Sequence, residues 1–303
     1  MANFYGQYIG FGSGGAGVSL TFFGGRGLFG GGTSTGSDDT IDYITISSTG
    51  NATDFHNLSV ARQDLGSCSN GSRGLWFGGY TGAHSDVIDY VTISTLAVAQ
   101  DFGNLSAAYK GNEACSNGIR GVIGGGHLTD TDIMEYVTIA TIGNASNFGN
   151  LSVARGGMGA CSNGTLGLFG GGWASSDTID YVTIATLGDA ADVGNLTVSR
   201  YDLASTSNGT RGVWGGGYGP TPNENVIDYM TISTSGDASD FGNLTVARYE
   251  PAACSDGTKG VFGGGNSSVH NELDYITIAT TGDASDFGDL TVARGFLGAC
   301  SGD

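Results

Sequence analysis

The 303-residue sequence is poor in proline (3), histidine (4), cysteine (5) and basic residues (11), and no stretch approaches the roughly 18 apolar residues of a membrane-spanning helix. Each scarcity excludes something. The 11 basic residues face 29 acidic ones, for a net charge of -18, and they are dispersed along the chain. Binding nucleic acid needs a concentrated basic footprint, so nucleic acid is excluded as a partner. Residues 1 to 17 carry no basic residue and no compact apolar core, so they do not read as a secretory signal. Glycine, by contrast, is abundant at 57 residues, without the strict triplet period of collagen. The 39% apolar content is too high for a disordered polar chain.

What is present is a repeat. An acidic residue followed by tyrosine recurs as Asp42-Tyr43, Asp89-Tyr90, Glu135-Tyr136, Asp180-Tyr181, Asp228-Tyr229 and Asp274-Tyr275, six copies with a period of about 46 residues. The stretch from Thr178 to Gly217 shows the other markers in order. Thr178 to Thr186 is rich in β-branched residues and reads as a strand covered on both faces, and Gly188-Asp189 marks a turn. Leu196-Thr197-Val198 alternates and reads as a second strand ending at Arg200. A run of small residues, Leu203 to Ser207, meets the Asn208-Gly209 hairpin signal, and Gly212-Val213-Trp214 runs into Gly215-Gly216-Gly217.

Four short strands per unit, no helical periodicity and six tandem units predict an all-β fold: a six-bladed β-propeller of four-stranded antiparallel blades. A solenoid is the competitor, but a linear stack needs distinct capping repeats. Here the chain ends on the small-residue strand around Gly298-Ala299-Cys300, and its first full marker, Arg26 to Gly32, is the strand that should follow it. The C-terminal strand is therefore expected to pair into the N-terminal blade and close the ring. Val18 to Phe23 competes for that place, less well because Phe22 and Phe23 do not match the small residues of the other copies. Residues 1–25 are left as a glycine-rich aromatic arm and 26–303 as the propeller.

Strand, Gly-Gly, variable loop, acidic-Tyr strand, aromatic, then arginine before a small-residue strand: in this order the markers resemble kelch repeats over residues 26 to 303. Kelch units usually carry tryptophan in the outer strand, where this chain has Phe55, Phe102, Phe148, Val193, Phe241 and Phe287. The near-identity of the units is also similar to kelch-like structural proteins of tailed-phage virions. That resemblance implies a virion location, reached from the host cytoplasm.

The basic residues fall at two repeat positions. Arg62, Arg155, Arg200, Arg248 and Arg294 precede the small-residue strand, with Lys110 one place late because Tyr109 holds the matching slot. Pairing with Asp42, Asp89, Glu135, Asp180, Asp228 and Asp274 is the expected role, in preference to ligand binding. Arg26, Arg73, Arg120, Arg211 and Lys259 follow the hairpin turn, with Leu166 in the remaining copy. Cys68, Cys115, Cys161, Cys254 and Cys300 share one position, where the fifth copy has Thr206. An odd count at equivalent positions reads as small apolar filler with free thiols.

No catalytic or metal constellation stands out. His56, His84, His127 and His270 lack metal-ligand spacing, so no metal site and no cofactor is expected. Acidic pairs such as Asp237 with Asp240 and Asp283 with Asp286 recur as Asn144 and Asn147 and read as turn formers bonding their own backbone, with calcium as the minor alternative. The glycine triplets lack the Lys-Ser/Thr of a phosphate loop.

Function on a regular scaffold lies where its copies differ. The segments after the glycine triplets vary most, and they begin with Thr33, Tyr80, His127, Trp173, Tyr218 and Asn266. Tyr80, His127, Trp173 and Tyr218 are the candidate ligand-binding residues, since rings with a polar edge suit sugars and protein partners, with shielding of the strand ends as the bland alternative. Phe4, Tyr5, Tyr8 and Phe11 on the arm are candidates for docking onto other virion proteins or a second copy of the chain. The expected function is a non-catalytic virion component presenting its loop face to host-surface glycans or a receptor. The alternatives are an intracellular kelch-type adaptor and a propeller enzyme such as a glycan hydrolase. The enzyme should place convergent titratable groups in the central cleft, where the sequence reading finds only once-per-blade residues.

Overall fold

The computed structural model describes residues 23–127, 130–173 and 176–302, and among these every regular element is a β-strand. No helix there is long and apolar enough to cross a membrane. The strands form six four-stranded antiparallel sheets arranged as the blades of a propeller. Blade 5 is representative, running outward from the axis as Ala204–Ser207, Arg211–Gly215, Val226–Thr231 and Ser239–Asn243.

Blade 1 closes the ring. Its inner strand is the C-terminal Gly298–Gly302, which pairs with Arg26–Gly30, followed by Thr40–Thr45 and Thr53–Asn57. Cys300 sits opposite Leu28 and Ala299 opposite Phe29. The competing stretch 18–23 lies, apart from Phe23, outside the described residues, as do Phe4, Tyr5, Tyr8 and Phe11.

One strand assignment needs correction. The alternating Leu196-Thr197-Val198 is not a strand: the outer strand of blade 4 is Ala191–Asn195, and the chain then leaves the sheet. The alternation instead reflects two jobs. Leu196 is buried in the blade core, while Thr197 donates through its backbone N–H and its hydroxyl to Asp228 of blade 5. The matching segments Ser59, Ser152, Thr245 and Thr291 do the same to Asp89, Asp180, Asp274 and Asp42.

The expected arginine partners are these same carboxylates. Arg62–Asp89, Arg155–Asp180, Arg200–Asp228, Arg248–Asp274 and Arg294–Asp42 lie 2.8 to 3.0 Å apart, and all ten side chains are buried. Each arginine spans two blades. The Arg62 carbonyl accepts from Gly32 of blade 1, while its guanidinium reaches Asp89 and the Trp76 carbonyl of blade 2. Blade 3 departs from this scheme. Glu135 accepts from the Ser106 backbone N–H, and Tyr109 fills the arginine slot at the end of an outer strand lengthened to Gln100–Tyr109. The second basic set also bridges blades: Arg26 lies over the Tyr43 ring and donates to the Ile93 carbonyl of blade 2, a pattern shared by Arg73, Arg120, Arg211 and Lys259.

Between blades the apolar packing is reciprocal. The first glycine of a triplet makes room for a large side chain of the next blade, as Gly30 does for Trp76, Gly170 for Trp214 and Gly263 for Phe29. Blade 2 carries Phe77 in place of that glycine, and blade 3 answers with the smaller Ile123, both in one buried cluster. The cysteines are free and buried, each sulfur packed against a glycine of the neighbouring blade, as Cys68 is against Gly121 and Cys300 against Gly74. Burial pushes their thiols up, to about 12 for Cys161 and Cys300, so they stay protonated and unreactive.

The turn acids depart from expectation in part. Asp192, on the outer strand of blade 4, accepts from Gly194 two residues on, but Asp189, Asp237 and Asp283 accept from Asn150, Asn195 and Asn243 of the preceding blade.

Candidate functional site at the channel mouth

Two closed rings of hydrogen bonds encircle the central channel. At the hairpin-turn end, each inner-strand serine hydroxyl donates to the serine carbonyl of the blade before it: Ser69 to Ser301, Ser116 to Ser69, Ser162 to Ser116, Ser207 to Ser162, Ser255 to Ser207 and Ser301 to Ser255. At the variable-loop end the ring is made by the backbone. The N–H of residue 64 donates to the carbonyl of 296, and residues 111, 157, 202, 250 and 296 each donate to the preceding member.

Making the second ring requires the left-handed backbone region at each of the six positions. Gly111 and Gly157 adopt it freely, but Asp64, Asp202, Glu250 and Phe296 hold φ between 53° and 65°. Non-glycine residues in that region persist only where the surroundings enforce them, and such places are often functional. The backbone ring thus delivers three carboxylates to the channel mouth. With Glu113 they line a cavity of about 40 Å³, together with Asn112 and Phe296.

Burial dominates the electrostatics there. It pushes Asp64 up, opposed by Lys110, whose Nζ lies 3.0 Å from Oδ2. Asp202 is raised by burial and then by the charge of Asp64, and Glu250 by burial and then by the charge of Asp202. Glu113 is pushed up to about 8 by burial, while the Ala114 N–H partly offsets the shift. These convergent carboxyls correct the expectation that the cleft offers only once-per-blade residues. The signal was available in the sequence: the two positions after each clasp arginine, such as Tyr201-Asp202 and Tyr249-Glu250 against Gly156-Gly157, vary between copies as much as the loops do.

Above the carboxyls lies an arc of rings. Tyr80, His127, Trp173 and Tyr218 are joined by His84, Tyr201 and Tyr249, which sequence reasoning missed. In order around the mouth, Tyr80 to His84 to His127 to Trp173 to Tyr201 to Tyr218 to Tyr249, neighbouring centroids are 4.7 to 6.5 Å apart. The arc is held by short backbone bridges such as Tyr80 with Gln63, His127 with Lys110 and Tyr218 with Tyr201. The Trp173 indole and the Asp202 carboxyl both close on Gly157, which ties the arc to the carboxyls beneath. Thr33 and Asn266 occupy the same bridge in the remaining copies without extending the arc.

The histidines play separate parts. His127 Nδ1 contacts Asp130 at 2.8 Å, His270 Nδ1 contacts Glu272 at 2.9 Å, and His56 lies on an outer strand. Among the described residues, no three His, Cys, Asp or Glu side chains are grouped so as to hold a metal ion.

No protein-family model matches the chain, and no curated protein matches it significantly. The structure therefore defines the class: a six-bladed β-propeller with one uniform face and one individual face.

Proposed function

We propose that this propeller is a non-catalytic interaction protein, a structural component of a tailed-phage virion that turns its variable-loop face toward host-surface glycans. The arc of seven half-buried rings around the channel mouth carries the glycan reading, because ring faces with polar edges are what pyranose rings stack against. The virion reading rests on the kelch-like repeat style, with residues 1–25 as the attachment to neighbouring virion proteins. Against catalysis stands the sameness of the carboxyls: burial raises Asp202, Glu250 and Glu113 alike, whereas glycoside hydrolysis uses two carboxyls in different environments.

The test is a glycan array probed with the wild-type chain, Trp173→Ala and Tyr218→Ala. Selective binding by the wild type, reduced at least tenfold in both variants, is the expected result. An array on which the folded wild-type chain retains nothing would overturn the reading.

A further inference from the structure

The face that carries the hairpin turns departs from uniformity at its rim. The turns between the third and outer strands emerge on that face too, farther from the axis. At one position they hold Thr49, Ser235 and Thr281 in blades 1, 5 and 6, but Leu96, Ile142 and Leu187 in blades 2, 3 and 4. Ile119, just after the hairpin turn of blade 3, stands where blades 2, 4, 5 and 6 have Ser72, Thr165, Thr210 and Thr258. Together with Val98, these aliphatic side chains are 46 to 70% exposed. Each outer turn bonds the outer strand of the blade before it, as Gly143 does the Phe102 carbonyl and Gly188 the Phe148 carbonyl, so the three turns are neighbours. Single exposed aliphatics are ordinary, but a group confined to three consecutive blades marks a contact surface.

Two further observations set this sector apart. Val98 stands where Asn51, Asn144, Asp189, Asp237 and Asp283 each accept a backbone N–H of the preceding blade. Blade 2 gives up that inter-blade bond for an exposed aliphatic, an exchange that serves the surface and not the scaffold. Acids also thin out here. Blades 4, 5 and 6 fill both acidic positions of the outer turn, as Asp237 with Asp240, whereas blade 2 keeps Asp101 alone and blade 3 has Asn144 and Asn147. The patch is therefore centred on the one blade whose outer turn is uncharged at both positions.

The chain supplies a match for it. Phe23 lies among the ring serines at the hairpin-turn mouth of the channel, beside Gly257, so residues 1–22 join the propeller at the axis of this same face. They contain no Asp, Glu, Lys or Arg, and they carry Phe4, Tyr5, Tyr8, Ile9 and Phe11. Fully extended, residues 11–23 span about 40 Å, while the outer strand of a blade lies about 15 Å from its inner strand. The rim is well within reach. Copies of a chain with net charge -18 repel one another, and contact costs least where an uncharged segment meets an acid-poor patch. In the single chain the patch is exposed, so its cover comes from another molecule.

We propose that residues 4–11 of a second copy of this chain dock on the hairpin-turn face at blades 2 to 4, with Phe4, Tyr5, Tyr8 and Phe11 against Leu96, Val98, Ile119, Ile142 and Leu187. This rests on the reading of residues 1–25 as the attachment to a neighbouring virion protein and names that neighbour as another copy of the chain. Glycan binding by the loop face does not depend on it.

The experiment is sedimentation equilibrium and light scattering on three full-length chains: the wild type, the patch variant Leu96→Thr/Ile119→Thr/Ile142→Thr/Leu187→Thr and the arm variant Phe4→Ser/Tyr5→Ser/Tyr8→Ser/Phe11→Ser. Threonine is a side chain that sister repeats already carry at these patch positions, so the patch variant should fold. The wild type should be an oligomer, and each variant alone should self-associate at least tenfold more weakly. An equimolar mixture of the two variants should form a one-to-one complex, since one supplies the arm and the other the patch. A wild type that stays monomeric at every concentration would overturn the proposal, with its own arm or a foreign partner as the remaining occupants. A variant that associates as the wild type does, or a mixture that stays monomeric, would overturn it as well. Selective glycan binding by all three chains beside any of these outcomes would leave the glycan reading standing and remove this inference alone.

Discussion

Arg294 Nη1 lies 2.9 Å from Asp42 Oδ2, joining residues from opposite ends of the chain, with both side chains fully buried. The guanidinium also donates to the carbonyls of Gly31 and Phe29, and Thr291 caps the same carboxylate. This is the inter-blade clasp found elsewhere in the ring, placed where the ring must be closed without a covalent link.

Removing one partner of a buried, hydrogen-bonded pair strands the other charge, at a cost of about 3–5 kcal/mol. Arg294→Ala should therefore lower the denaturant midpoint strongly. The loss should persist in high salt, because a buried pair is poorly screened. A midpoint shift below about 1 kcal/mol equivalent, the range of exposed pairs, would show that the clasp does not hold the closure.

Phe77 and Ile123 make a reciprocal exchange of volume. Phe77→Gly should cost about 3–5 kcal/mol through the cavity left behind, and Ile123→Phe about 1–3 kcal/mol through overpacking against Phe77. Together they recreate the glycine–phenylalanine contact of Gly124 with Phe169. The double variant should thus be more stable than the sum of the single effects predicts, by about 1–3 kcal/mol. Additive values from chemical denaturation would mean the two sites relax independently.

How much of this was legible in the sequence depends on which interaction each residue serves. Asp42 and Arg294 stood out because the clasp is stamped once per blade, and Cys300 against Leu28 followed from the small residues of the terminal strand. The Leu196-Thr197-Val198 segment misled because crossing between blades also turns alternate side chains to opposite sides, so a period of two appeared without a sheet. Tyr80, His127, Trp173 and Tyr218 were visible as loop openings. Asp202 and Glu250 were marked only by their variation between copies, and their convergence was hidden because what gathers them is a ring of backbone hydrogen bonds that depends on φ rather than on residue type.

Glu113 gives the fold a predicted pH dependence. Its carboxyl is raised from 4.5 to about 8 in the folded chain, chiefly by burial. Between these values the folded state binds the proton that the unfolded state releases. Stability contributed by this group is therefore full below about pH 4.5, falls as pH rises and is lost above about pH 8. Glu113→Gln should leave stability unchanged at pH 4 and raise it at pH 9 by about 1–2 kcal/mol, a figure reduced from the full shift because the side chain keeps some contact with the channel. Urea midpoints at the two pH values check this, and a variant no more stable than wild type at pH 9 would refute it.

Deletion of residues 1–17 separates the scaffold from the proposed attachment. Every strand, clasp and ring bond that closes the propeller lies within 23–302, so the truncated chain should melt within about 1–2 °C of the full one, the shift of a change below about 0.5 kcal/mol in a chain this long. If the arm with Phe4, Tyr5, Tyr8 and Phe11 docks onto a second copy, light scattering should show a concentration-independent oligomer for the full chain and a monomer for the truncation. If it docks onto a different virion protein, both forms should be monomers, and only the full chain should be incorporated into particles. Normal incorporation of the truncated chain would remove the arm from assembly altogether and leave the attachment to be sought on the uniform face, where the hairpin turns Asn70-Gly71, Asn117-Gly118 and Asn208-Gly209 repeat one surface around the ring.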